Sequence, residues 1–174
     1  MSDIKDQLLG TVSGDMDVFK KIASKIPGFK GYIERQTRRD ADKLLRDTVA
    51  LRFRELENRV SALQREFIGS GDIGYVDDLE RAALRLRTFS DQIRTAPRGY
   101  SGLFDAVKIN EEDLARLYEY DNAFLDSVDE VNRAIDNVQA SVGTDGLPAS
   151  IRNLDTITGQ CVEAYSRRQE VVAA

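Results

Sequence analysis

Histidine is absent from this sequence of 174 residues. The commonest general base of enzymes and the commonest protein ligand of transition metals are therefore both missing. A Ser-His-Asp or Cys-His catalytic site cannot be built within one chain, and neither can a zinc site of the Cys/His kind or a Glu-x-x-His di-iron site. We accordingly expect no catalytic residues, no metal and no cofactor.

Cysteine is nearly absent too, because Cys161 is the only one. No disulfide can form within the chain, which excludes a disulfide-stabilised secreted scaffold. The opening residues, MSDIKDQLLGTVSGDMD, are acidic where a signal peptide needs a basic flank. No stretch approaches the roughly 18 uninterrupted apolar residues of a membrane-spanning helix. The sequence predicts a cytoplasmic protein, one that is able to be peripheral at a membrane without crossing it.

What the sequence does contain is a regular helical pattern. It is 41% hydrophobic and 32% charged, with 3 prolines and no tryptophan. Apolar residues recur every three or four positions, and no segment alternates as a half-buried strand does. We predict an all-α protein, an antiparallel bundle of four main helices with one long helix and a short N-terminal amphipathic helix. Residues 1–30 form the N-terminal segment of this prediction, and residues 31–174 form a single bundle domain.

Breaking residues set the bounds of the predicted helices. The short helix begins at Asp15 or Asp17 and runs to about Ile26, where Pro27-Gly28 ends it. The four main helices are predicted at residues 32–68, 75–95, 110–142 and 149–168. In the long helix, one apolar seam occupies the second half: Leu45, Val49, Phe53, Leu56, Val60, Leu63 and Phe67. The first half, residues 34–43, has no such seam, so we expect it to extend beyond the bundle.

Charge is distributed unevenly along the chain. Residues 20–54 hold 11 bases and 4 acids, a net of +7, whereas residues 105–145 hold 11 acids and 3 bases, a net of −8. Three interpretations are open. The two segments lie side by side and neutralise each other, or they meet between molecules, or the basic segment meets an anionic surface.

The basic N-terminal segment is the predicted interaction surface. Lysines flank its apolar face and aromatic residues stand near its ends, as in helices that lie on anionic membranes. The candidate contact residues are Phe19, Lys20, Lys21, Ile22, Lys25, Ile26, Phe29, Lys30, Arg35, Arg38, Arg39 and Lys43. The alternative is that the apolar residues simply cover one end of the bundle. Asp40 and Asp42 interrupt the basic run and the whole chain has a charge of −5, which argues against a nucleic-acid ligand.

The connection at residues 96–109 is the second candidate contact. Its 14 residues exceed the roughly two to eight that usually join bundled helices, and many of them are apolar. It either caps its own bundle, contacts a partner or subunit, or lines a small-molecule pocket that uses Arg98, Tyr100 and Ser101. Its contact residues in the second case would be Arg98, Tyr100, Leu103 and Phe104.

Two single residues carry further expectations. Asp121 lies close to the apolar face of its helix, and we expect it at the edge of that face, in water. If it is buried instead, it needs a donor such as Arg or Tyr and could mark a site together with Tyr118. Cys161 is predicted to be a buried structural thiol.

The function these patterns favour is that of a non-catalytic helical interaction or scaffold protein. It would self-associate as a homo-oligomer, or dock on a partner protein or an anionic membrane surface, through its basic N-terminal segment. The alternative is a small-ligand-binding protein or a histidine-free enzyme with a pocket near the 96–109 connection.

Overall fold

A computed structural model describes residues 20–27, 38–96 and 111–173, without the side chains of 38–42, 111–115, 117 and 171–173. Four long helices make up most of it: α1 (Arg38–Ser70), α2 (Val76–Thr95), α3 (Glu111–Ser141) and α4 (Leu147–Ala173). A short 3₁₀ helix, Ile73–Tyr75, precedes α2, and residues 20–25 are helical. The described residues contain no strand. The all-α prediction is confirmed.

Glycine ends two of the four helices, as predicted. Gly71 follows α1 with a φ of 86°, and Gly143 follows α3 with a φ of 75°. This left-handed geometry suits glycine because it has no Cβ. After α1 the backbone closes through hydrogen bonds from Gly71 N to Ile68 O (3.3 Å) and from Asp72 N to Phe67 O (3.0 Å). Both turns therefore stand where the glycines of the sequence indicate them.

The last helix begins two residues earlier than predicted, at Leu147 rather than Ala149. Pro148 is compatible with this earlier start. The N–H groups of the first helical turn make no hydrogen bond within the helix, so the N–H that proline lacks is not needed there. The Ser150 amide already donates to the Gly146 carbonyl at 3.1 Å. Leu147 is buried, so the earlier start of the helix adds a residue to the core.

The four helices form two antiparallel hairpins. In the first, Ser90 of α2 donates to the Ala50 carbonyl of α1 and Arg54 of α1 pairs with Asp91 of α2. In the second, Asp121 of α3 pairs with Arg168 of α4. The hairpins pack with α2 beside α4 and α1 beside α3, and the neighbours across this interface run parallel. The predicted antiparallel order thus holds inside each hairpin.

This arrangement accounts for the long connection between the hairpins. Since α2 contacts α1 and α4, and α3 contacts α1 and α4, helices α2 and α3 lie at opposite corners of the bundle. A chain that leaves α2 at Ala96 and enters α3 at Glu111 crosses to the far corner of the bundle, a longer path than a turn between neighbouring helices. The contact residues predicted in this connection, Arg98, Tyr100, Leu103 and Phe104, lie outside the described residues.

Phe89 of α2 is the centre of the core. The centroid of its ring lies 4.2 Å from the ring centroid of Phe53, 4.9 Å from that of Phe124 and 5.8 Å from that of Tyr165. Phe89 therefore contacts α1, α3 and α4. The seven predicted seam residues of α1 are all buried. Three further apolar residues of the other helices, Val76, Val128 and Ile157, are only partly buried against this core.

Residues 20–27 pack against the bundle. Ile22 and Ile26 are buried within the same apolar core as the four helices. The Lys25 ammonium contacts Asn122 and Asp126 of α3, and Arg52 of α1 donates to the Lys25 carbonyl at 2.7 Å. The segment therefore bridges α1 and α3. Of the half of the long helix predicted to be uncovered, the structure describes the backbone from Arg38 and the exposed side chain of Lys43.

Candidate functional site

A cluster of polar side chains, all of them buried except the half-buried Gln92, lies at the end of the bundle where α2 stops and α3 begins. We call it the polar end cluster, and its members are Arg46, Gln92, Asp121, Tyr165 and Arg168. All four helices contribute to it. Tyr118, one turn before Asp121 on α3, is buried as well.

Asp121 is the most deeply buried charge of the cluster, at 0% exposure, and Arg168 is 5% exposed. Arg168 Nε donates to Asp121 Oδ1 at 2.7 Å, and its Nη2 donates to Oδ2 at 3.1 Å. This two-point geometry is the strongest form of the Arg–carboxylate interaction. The expectation that Asp121 lies in water is wrong, and the alternative, a buried acid with an arginine donor, is what the structure shows. Arg168 follows Tyr165 by three positions and therefore lies on the same inward face of α4. This spacing is the signal in the sequence that could have identified Arg168 as the partner of a buried Asp121.

Tyr165 connects the ion pair to α2. Its hydroxyl donates to the Gln92 carbonyl at 2.9 Å and accepts from Gln169 Nε2 at 3.3 Å. Burial raises the pKa of Tyr165, while the neighbouring guanidinium of Arg168 and, to a smaller extent, that of Arg46 work against the rise. The phenol is therefore neutral at physiological pH and acts as a donor.

Arg46 and Gln92 complete the cluster. Arg46 of α1 is buried, and its Nη1 donates at 2.7 Å to the carbonyl of Ala96, just after the last turn of α2. A cation at that position suits the negative end of the helix dipole. The side-chain oxygen of Gln92, Oε1, is buried and accepts no hydrogen bond from any described residue. The cluster can hold the helix ends in register, and it presents one buried acceptor that the described residues do not satisfy.

Cys161 is buried on α4, as predicted. Burial raises the pKa of its thiol to about 11, with a hydrogen bond involving Ser127 acting in the opposite direction and Glu130 adding to the rise. A thiol with this pKa is protonated at neutral pH and is a poor nucleophile. The residue is part of the core.

The ion pairs between the two hairpins share one polarity. Among the side chains that the structure describes, each ion pair that joins residues 20–96 to residues 111–173 has its cation in the first range and its anion in the second. The four are Lys25–Asp126 (2.6 Å), Arg59–Asp136 (2.6 Å), Arg81–Asp155 (3.2 Å) and Arg85–Asp155 (2.8 Å). Arg59 also donates to Asn132 and Gln139. The two charged segments lie side by side, since α1 packs against α3. Of the four pairs, Lys25–Asp126 joins residues 20–54 to residues 105–145, so the side-by-side interpretation is observed at that contact.

Some residues of the predicted interaction surface are exposed, and others are buried or paired within the bundle. Lys20, Lys21 and Lys43 are exposed, whereas Ile22 and Ile26 belong to the core and Lys25 is engaged with α3. The side chains of Arg38 and Arg39, at the start of α1, lie outside the description, as do Phe19, Phe29, Lys30 and Arg35. The structure therefore shows three of the predicted surface lysines available to solvent.

Neither a metal-binding cluster nor a membrane-spanning helix is found in the described part of the chain. There, no group of three or more Cys, Asp or Glu side chains is placed to hold a metal ion. No described helix is long and apolar enough to cross a bilayer. In comparisons with known proteins, no family model, no curated protein and no solved structure matches this chain.

Proposed function

We propose that the protein is a non-catalytic helical interaction protein that docks on an anionic surface through its basic N-terminal segment. The surface is either a membrane or an acidic protein, including a second copy of this chain. The observation that carries the proposal is the position of residues 20–27. They lie outside the four helices of the bundle and keep Lys20 and Lys21 exposed.

The hydrogen-bond partners of the buried charged side chains support a non-catalytic role. Asp121 is held at two points by Arg168. Glu57, the other buried acid among the described side chains, accepts from Arg87 at 2.6 Å and from Ser61 at 3.2 Å. Both buried acids are engaged with arginines, and the Cys161 thiol is protonated at neutral pH, which favours roles of these groups in packing and helix pairing.

Electrostatics supports an anionic partner. A lysine near an anionic leaflet contributes about 1 kcal/mol, and Lys20 and Lys21 are exposed for such a contact, whereas Lys25 is engaged with α3. The arginines and lysine that follow at positions 35–43 add to the same potential. Binding should therefore weaken as salt rises.

The test compares two double charge reversals. Lys20→Glu/Lys21→Glu changes the proposed surface, while Arg65→Glu/Arg152→Glu changes two exposed arginines elsewhere and gives the same net charge. Vesicle pelleting and the mass in solution are measured over a salt series. At low salt we expect the first variant to lose at least about tenfold in vesicle binding or self-association, and the second to lose much less. A wild-type protein that stays monomeric at every salt concentration and pellets with no vesicle contradicts the proposal.

A second candidate function is small-ligand binding at the polar end cluster. The buried Gln92 Oε1 without a described donor favours it, because a ligand donor would satisfy that atom. A histidine-free enzyme at the same place would have to work through Asp121 and Tyr165. A thermal-shift screen of small polar compounds tests this candidate, and a hit must disappear in Gln92→Leu while persisting in Arg94→Leu, an exposed change on the same helix.

A further inference from the structure

We propose that residues 20–27 are a releasable strap, whose docking across α1 and α3 conceals the face that binds an anionic lipid surface. The inference rests on the proposed function and deepens it by naming lipid as the partner. It also assigns the bundle a role in restraining that contact.

The two uses of the strap require the same side chains. Ile22 is fully buried in the core and Ile26 nearly so, and Lys25 points at an acid of α3. In a helix lying on a membrane, those apolar residues enter the acyl boundary and the lysines lie among the headgroups. Because one set of atoms cannot do both, docking on the bundle and binding to lipid exclude each other.

The polar attachments of the strap are of a kind that a membrane can replace. Lys25 Nζ lies 2.7 Å from Asn122 Oδ1 and 2.6 Å from Asp126 Oδ1, and the Asp126 side chain is 59% exposed. A lipid phosphate or carboxylate offers the same charge to the same ammonium group. Arg52 Nη2 holds the Lys25 carbonyl, an acceptor that the short helix leaves unsatisfied.

Release of the strap leaves the four-helix core in place. The ring contacts of Phe89 join all four helices without any residue of 20–27. The inter-hairpin ion pairs at Arg59, Arg81 and Arg85 are likewise independent of the strap. Opening is thus a local event that does not require global unfolding.

The experiment uses two charge reversals on one helix. Asp126→Lys breaks the attachment of Lys25 and repels it, whereas Asp129→Lys alters an exposed acid of α3 that has no described contact with the strap. Both variants gain the same positive charge for vesicle binding. We expect Asp126→Lys to bind phosphatidylserine/phosphatidylcholine vesicles about two- to fivefold more tightly than Asp129→Lys, the range that one partly exposed ion pair provides. Hydrogen exchange at the amides of residues 20–27 should accelerate in Asp126→Lys alone.

A second pair of variants tests the other attachment. Arg52→Gln removes the donor to the Lys25 carbonyl, and Arg65→Gln removes an equal charge from an exposed position of α1. We expect faster exchange of residues 20–27 and tighter vesicle binding for Arg52→Gln than for Arg65→Gln. Circular dichroism confirms that each variant keeps the bundle.

Each outcome decides between the claims. Unchanged exchange of residues 20–27 together with equal vesicle affinity within both pairs overturns the strap, yet leaves the proposed function standing if the wild type binds. Faster exchange without tighter vesicle binding overturns lipid as the partner, and a dimer appearing at the same time assigns the released face to a second copy. If wild type and all variants stay monomeric and unbound, the proposed function fails together with the inference.

Discussion

Arg168 and Asp121 form a two-point ion pair across the hairpin of α3 and α4, with contacts of 2.7 and 3.1 Å. Both side chains are buried. Removing one partner of such a pair leaves a buried charge uncompensated. The resulting loss of stability is far larger than any stability that the intact pair adds relative to two apolar side chains.

We therefore expect Asp121→Asn to lower the free energy of unfolding by about 3–5 kcal/mol. Urea denaturation followed by circular dichroism measures it. Asp129→Asn, an exposed change on the same helix, should alter stability by less than about 0.5 kcal/mol. The paired change Asp121→Leu/Arg168→Met should recover most of the loss, and a double variant as unstable as Asp121→Asn would contradict this account.

Phe89 is the residue whose truncation should damage the core most, since its ring meets three others from three helices. Phe89→Ala is expected to cost about 3–5 kcal/mol of stability through lost burial and the cavity left behind. Leu84→Ala, on the same helix but at a position 58% exposed, should cost less than about 0.5 kcal/mol. Thermal unfolding of the two variants checks the difference, and similar midpoints would show that Phe89 is not central.

Glu57 is buried on α1 and accepts from Arg87 and Ser61, whereas Glu55 is exposed. We expect Glu57→Gln to lower stability by about 1–2 kcal/mol, because a charged acceptor is lost while the half-exposed Arg87 can turn to water. Glu55→Gln is the matched control and should be nearly neutral. Equal effects of the two changes in urea denaturation would refute a structural role for Glu57.

Cys161 makes stability depend on alkaline pH. Its pKa is raised in the folded state to about 11 from an ordinary value of 9.0, so the folded state prefers the protonated thiol. The stabilisation is complete below pH 9 and is lost as pH rises from about 9 to about 11, up to roughly 3 kcal/mol. The pKa of Tyr165 is raised as well, so its phenol shifts stability in the same direction.

The measurement is urea denaturation at pH 8, 9, 10 and 11. Cys161→Ala should lose some stability at pH 8 through packing, yet decline less steeply than the wild type between pH 9 and 11. A thiol reagent at pH 8 should label folded Cys161 slowly and the unfolded chain at once. Rapid labelling of the folded protein would show that the thiol is not buried as described.

Much of the fold follows from the sequence because helix faces and turns are local properties. The spacing from Leu45 to Phe67 fixes the inward face of α1, and the glycines at positions 71 and 143 fix the turns. The pairing of helices is not local. Apolar seams fit either diagonal or neighbouring placement of α2 and α3, so periodicity alone does not choose between them.

The polar end cluster was missed for the same reason. Asp121 has the same place on its helix whether it faces water or an arginine, and its partner lies 47 positions away. Likewise, the pattern of Ile22, Lys25 and Ile26 suits a membrane surface and a groove of the bundle equally well. Only the contacts with Arg52, Asn122 and Asp126 show which surface the segment occupies in the isolated chain.

The shared polarity of the ion pairs between the hairpins has a consequence for the assembly of the chain. Residues 1–96 hold 18 bases and 16 acids, a net of +2, while residues 97–174 hold 7 bases and 14 acids, a net of −7. The two halves are thus complementary macro-ions. Severed anywhere between Ala96 and Glu111, they would still attract each other and rebuild the bundle as a two-fragment complex, more slowly as added electrolyte screens the attraction.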